Sequence, residues 1–134
     1  MCESYSLGKA EEEIEREHCI LASNIKEDTD RAVYINYSSY VDEDSILADN
    51  SVMMLLRLLQ CCGVRDVALA GFDGMKDREE NYAANGFVNS GHGLSAAENN
   101  RIITEMFQSY RKQVGTAVNI SFLTPSIYVE GESV

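Results

Sequence analysis

Apolar residues along this chain change spacing several times, and the changes mark its elements. HCILASN (18–24) and RAVYINY (31–37) are short apolar or β-branched runs separated by the polar segment IKEDTD, which predicts two strands. In ADNSVMMLLRLLQCCGV the apolar positions Val52, Leu55, Leu56, Leu59 and Cys62 fall at helical spacing. Asp49, Asn50 and Ser51 offer capping oxygens at its start and Gly63 a stop at its end. RDVALAG (65–71) reads as a strand apolar on both faces, the pattern of a central strand in a helix-covered parallel sheet. From Phe72 to Gly93 the period lapses into a loop rich in Gly, Asn and Asp. It resumes in SAAENNRIITEMFQSYRKQV, where Ser95 and Glu98 have the spacing of a capping box and Ile102, Ile103, Met106, Phe107 and Tyr110 form an apolar stripe. TAVNISF (116–122) is the last expected strand.

At the two ends the pattern is thinner. KAEEEIERE (9–17) favours a helix with a narrow apolar stripe, so 1–17 is expected as a peripheral helix or leader, and Pro125 opens an expected flexible tail over 126–134. The alternation of strand and helix in the second half implies right-handed βαβ units. The expected fold is therefore a single α/β domain over 1–134, three-layer and Rossmann-like, with a mostly parallel sheet. No GxGxxG or P-loop opens it, so the chain reads as the C-terminal half of a doubly wound domain. Ligands in such sheets bind at the carboxyl ends of the strands, which puts Asp73 at the functional edge.

Charge narrows the function classes. With 22 acidic against 11 basic residues the net charge is −11, and no Lys/Arg cluster is present, which argues against nucleic acid. The four cysteines show no CxxC pair and no zinc spacing with the two histidines, and Cys61 and Cys62 are adjacent. They are expected to be reduced and mostly buried, in a cytoplasmic protein, since no signal peptide precedes the glutamates and no apolar run spans a bilayer. No GxSxG, HExxH or nucleophilic Cys/His arrangement occurs, and no cofactor or metal is called for.

Candidate chemistry lies in the loops. Asn50 and Ser51 stand where a helix start favours an anion, although ordinary capping explains them equally. Asp73, between Gly71 and Gly74, can bind ribose or sugar hydroxyls, or a metal, from a strand end, or can simply be the acid of an Asp-Gly turn. Tyr82 can stack on a base or donate to a phosphate. His92, between Gly91 and Gly93 before a capped helix, can act as a general base or phosphate partner, or can sit idle at the surface.

CILASNI, INYSSY, DNSVMMLLRLL, VALAGFDG and FLTPSIY together resemble the C-terminal, Rossmann-like domain of bacterial 4-hydroxy-2-oxovalerate aldolase-like proteins of the HMG-CoA lyase type. That resemblance implies an accessory ligand-binding domain, partnered by an aldolase barrel domain or chain that carries the metal and the carbonyl chemistry. More distantly the same segments are similar to the second half of bacterial sialyltransferases that use CMP-sialic acid. This implies a glycosyltransferase-like domain binding a nucleotide sugar or another phosphorylated ligand. In that likeness Asn50 and Ser51 match a helix start, Gly71, Phe72 and Asp73 a strand end, Tyr82 a loop tyrosine and His92 the base, while Met75 departs from the pattern. Half of a doubly wound domain also leaves a sheet edge uncovered, so a homo-oligomer is expected.

One outcome follows from the residues alone. Lys9, Lys26, Lys76 and Lys112 all lie in polar stretches and none has the apolar surroundings of a Schiff-base lysine. The purified chain with added divalent metal should release no pyruvate from 4-hydroxy-2-oxo acids, and a coupled assay that detects it refutes the accessory assignment.

Overall fold

The computed structural model describes residues 19–25, 32–76 and 93–129. Four strands and two helices appear among them: β1 (Cys19–Ala22), β2 (Ala32–Ile35), α1 (Ser51–Cys61), β3 (Asp66–Leu69), α2 (Ala96–Val114) and β4 (Asn119–Phe122). The expected N-terminal helix at 9–17 lies outside the described residues. The strands pair as two separate two-stranded sheets, β1 with β2 and β3 with β4, both parallel. The chain is thus an α/β protein, with β3, α2 and β4 forming a strand–helix–strand unit. None of its described helices is long and apolar enough to cross a membrane.

Capping chemistry bounds the helices where the sequence suggests. The Asn50 side chain accepts from Met53 N–H at 3.1 Å to start α1. At the other end Gly63 adopts φ +79°, and Val64 N–H reaches Leu59 C=O while Gly63 N–H reaches Gln60 C=O, closing a Schellman motif. At α2 the capping box is complete: Ser95 Oγ accepts from Glu98 N–H, and the Glu98 carboxylate accepts from Ser95 N–H at 2.9 Å. Hydrogen bonds to the carboxylate from Ser95 N–H and then from Ser95 Oγ, with help from Arg101, lower the pKa of Glu98 at the helix start.

Packing centres on α2. Ile103, Met106, Phe107, Tyr110 and Val114 are buried along one side, as the stripe predicts. Phe107 has no exposure and meets Phe72 and Phe122 edge-on, at centroid distances of 5.7 and 5.8 Å. Tyr110 crosses to α1 and donates its buried hydroxyl to Leu56 C=O at 3.1 Å. A second tie comes from Arg57 on α1, which donates to Tyr40 C=O and pairs with Asp42 at 2.9 Å, holding the segment before the helix against it.

Three expectations change. RDVALAG is not covered on both faces: along β3 and β4 the residues alternate, with Asp66, Ala68, Asn119 and Ser121 exposed while Val67, Leu69, Ile120 and Phe122 pack on the core. Alanines made the run look uniformly apolar, yet Ala68 loses little by facing solvent. Cys61 and Cys62 are free but exposed, because the buried face of α1 is Met53, Met54 and Leu56 and the helix ends at the cysteines. The expected tail is packed through Val129: Ile127–Val129 form a 3-10 turn and Tyr128 is buried.

Burial gives the phenols a testable signature. It pushes Tyr128 up to about 12 from an ordinary value of 10.0, and it raises Tyr110 as well. A phenol whose folded value exceeds its unfolded one contributes stability that is complete below the unfolded value and is lost as pH rises through the folded value. Urea denaturation should therefore show stability falling from about pH 10 toward pH 12, the folded value of Tyr128. Tyr128→Phe should flatten that slope, and an unchanged slope contradicts the assignment.

Candidate functional site

The carboxyl end of β3 runs directly into Gly71, Phe72, Asp73 and Gly74, and here the chain turns. Gly71 at φ +72° and Gly74 at φ +113° occupy conformations that L side chains avoid. Between them Phe72 inserts into the core, stacking at 4.4 Å on Tyr128 as well as meeting Phe107. Asp73 points outward and is exposed. The segment after β4 folds onto this turn. Thr124 Oγ1 accepts from Gly71 N–H at 2.9 Å and donates to Asp73 Oδ1 at 2.7 Å, while Ile127 N–H reaches Asp73 C=O at 3.2 Å. The glycine-flanked acid is thus a structural turn whose carboxylate faces solvent with one oxygen already engaged.

Asn100, one turn into α2, clamps the next residue of this turn. Its Oδ1 accepts from Met75 N–H at 2.7 Å and from the Tyr128 hydroxyl at 3.0 Å, and its Nδ2 donates to Met75 C=O at 2.8 Å. A side-chain amide here takes the place of a strand's backbone, fixing where the chain leaves the site.

Asn99 differs from its neighbour. It is 1 % exposed, and its Nδ2 donates to Leu94 C=O at 3.3 Å and Ser95 C=O at 3.0 Å. Those two carbonyls fix which end of the amide is nitrogen. Among the described residues its Oδ1 has no hydrogen-bond partner. An acceptor buried in this way costs about 1–3 kcal/mol unless a donor reaches it. Because Nδ2 lies against residues 94 and 95, the oxygen bonded to the same carbon lies at the start of α2 as well.

Gly71, Asp73 and Gly74 belong to one hydrogen-bonded turn, whereas Asn50 and Ser51 stand apart at the start of α1. Among the described residues no hydrogen bond or ion pair joins the two groups. At α1 the capping role of Asn50 is realised, and Ser51 is exposed. Asp49 interacts with the Tyr37 hydroxyl there; burial first, and then this carboxylate, raise the Tyr37 pKa. Tyr82 and His92 lie outside the described residues. Asn99 and Asn100 carry no weight in the sequence reading, and Thr124 and Tyr128 enter it only within the FLTPSIY stretch. Two asparagines in the first turns of a helix, where they are poor formers, were the available signal.

Comparison with protein-family models, curated proteins and solved structures finds no match to this chain.

The two glycines of the turn separate conformational from steric demand. A Cβ on Gly71 meets nothing within 4 Å, whereas one on Gly74 lies 2.5 Å from Ile127 Cδ1 and 2.8 Å from its Cγ1. Gly71→Ala should cost about 1–2 kcal/mol from φ alone, and Gly74→Ala about 2–4 kcal/mol because Ile127 must also move. Equal losses in chemical denaturation would show that the contact between Gly74 and the Ile127 turn does not form.

Proposed function

We propose that this chain is an accessory ligand-binding module of an aldolase-like protein, lacking the aldolase chemistry itself. The reading takes the two parallel sheets as parts of a three-layer Rossmann-like domain whose strand carboxyl ends face the ligand. Free thiols at Cys61 and Cys62 suit a cytoplasmic setting. What carries the reading is Asn99. A buried carbonyl oxygen with no partner among the described residues, at a helix start and next in sequence to the Asn100 that clamps Met75, is an acceptor open to a hydroxyl or amino donor.

Electrostatics selects the part of the ligand that enters. A helix start ordinarily favours a phosphate, but ionised Glu98 closes the start of α2, and Asp49 stands at the start of α1. The donor presented to Asn99 is therefore uncharged: a sugar hydroxyl or the exocyclic amine of a base. Any phosphate of a nucleotide sugar remains farther out, the portion of the ligand that the reading assigns to Tyr82 and His92. In this reading those two residues attend the charged portion, and Asp73, with its exposed carboxylate, accepts from a ligand hydroxyl at the rim.

Calorimetry with cytidine, cytidine monophosphate and an uncharged monosaccharide tests this. Asn99→Leu should weaken binding of cytidine or the sugar about 5- to 30-fold, the value of one hydrogen bond to a buried acceptor. The same variant also deletes the two Nδ2 bonds to Leu94 C=O and Ser95 C=O, so it should lose about 1–3 kcal/mol of stability, and its binding is read at a temperature where it remains folded. Absence of binding by all three compounds, or equal affinity in wild type and variant, refutes the module as described.

A further inference from the structure

Cys61 and Cys62 serve none of the roles above. They are consecutive, both free and both exposed, at the last residue and the cap of α1. The backbone through them is fixed. Cys62 holds φ −76°, ψ 0° and donates to Leu58 C=O, and the Schellman closure at Gly63 and Val64 follows at once. We infer that Cys61 and Cys62 form a two-thiol chelating site for a trivalent arsenical carrying one organic substituent.

Geometry removes the competing reaction first. Cα atoms of consecutive residues are about 3.8 Å apart, short of the roughly 4.4–6.8 Å that a disulfide spans. Bridging the two sulfurs directly would need the helix end to unwind, and the hydrogen bonds of the Schellman closure oppose that. A bridging atom relaxes the requirement, because two sulfur–ligand bonds replace one sulfur–sulfur bond. Among the described residues no group of three His, Cys, Asp or Glu side chains is placed to hold a metal ion, so zinc, which takes four ligands, is poorly served. A mono-substituted trivalent arsenic needs two sulfurs from the protein and nothing more.

The step balances without a redox partner. Each thiol gives its proton to the arsenoxide oxygen, two As–S bonds form, the As–O bonds break, and one water leaves with arsenic still trivalent. Once the first sulfur has bonded, the second reacts intramolecularly, which strengthens the adduct by roughly 10²- to 10⁴-fold over a single thiol.

Phenylarsine oxide and intact mass are the test, with the adduct diluted into excess monothiol before measurement. Wild type and Cys2→Ser/Cys19→Ser should each retain one phenylarsenic group, and Cys61→Ser and Cys62→Ser should each lose it. Retention in either single variant, or loss in wild type, overturns the site. Mild oxidation of Cys2→Ser/Cys19→Ser offers an independent check. Linked dimers are expected, and a monomer that has lost two hydrogens and both free thiols shows that the helix end does permit a direct bridge.

Discussion

The structure depends on a single buried ring. Phe107 receives the edges of Phe72 from the strand-end turn and Phe122 from β4, and Phe72 in turn stacks on Tyr128. Four aromatic side chains from four segments thereby meet over the middle of α2. Each such pair is worth about 0.5–1.5 kcal/mol beyond the area it buries, and removing a buried phenylalanine costs about 3–5 kcal/mol. Without Phe107, β3 and β4 would remain a bare two-stranded pair, and such pairs are marginal in water. The unit closes because α2, which connects the strands, carries the ring on which Phe122 of β4 and Phe72 of the turn after β3 both pack.

The position of Phe72 explains why an acid stands between glycines. For Phe72 to point into the core three residues after β3 has ended, the chain must turn on both sides of it, which two positive-φ glycines permit. Asp73 is then turned outward, and Thr124 spends both its donor and its acceptor stitching the turn to the segment after β4. Local chemistry of the turn is consequently satisfied from within the chain. The polar group left over lies one step away, on Asn99, and its neighbour Asn100 shows what a satisfied amide in this place looks like: two acceptor bonds and one donor bond, all engaged.

Features set by near neighbours were legible in the sequence, and features set by distant ones were not. The α2 stripe and its Ser95–Glu98 box follow from spacings of three and four residues, and both appear as read. The stop at Gly63 is equally local. By contrast Tyr128 bonds Asn100 across 28 residues and Tyr110 bonds Leu56 across 54, and no periodicity encodes either partner. Burial was misread where residue type is ambiguous. Ala68 is apolar but small enough to face water, and the cysteines at the end of α1 extend a stripe that the helix stops using before it reaches them. The parallel sheet is seen in part: each strand lies where the spacing expects one and both described pairings are parallel, but strand identity does not say which edges pair. The described pairing stops at two strands each.

Charge ties the site to the rest of the chain. A net charge of −11 sets a field that disfavours anions at long range, and the carboxylates of Asp49 and Glu98 repeat that preference at the two helix starts. Helix dipoles alone would have made both starts attractive to phosphate. Here the dipole is instead answered by the protein's own acid, which at α2 doubles as the capping box and so cannot be given up without loosening the helix. Asn99 is neutral, and among the described residues its Oδ1 has no hydrogen-bond partner. Fold stability and the local field are therefore coupled through one turn of α2: the acid that secures the helix is also the charge that turns anions away from it.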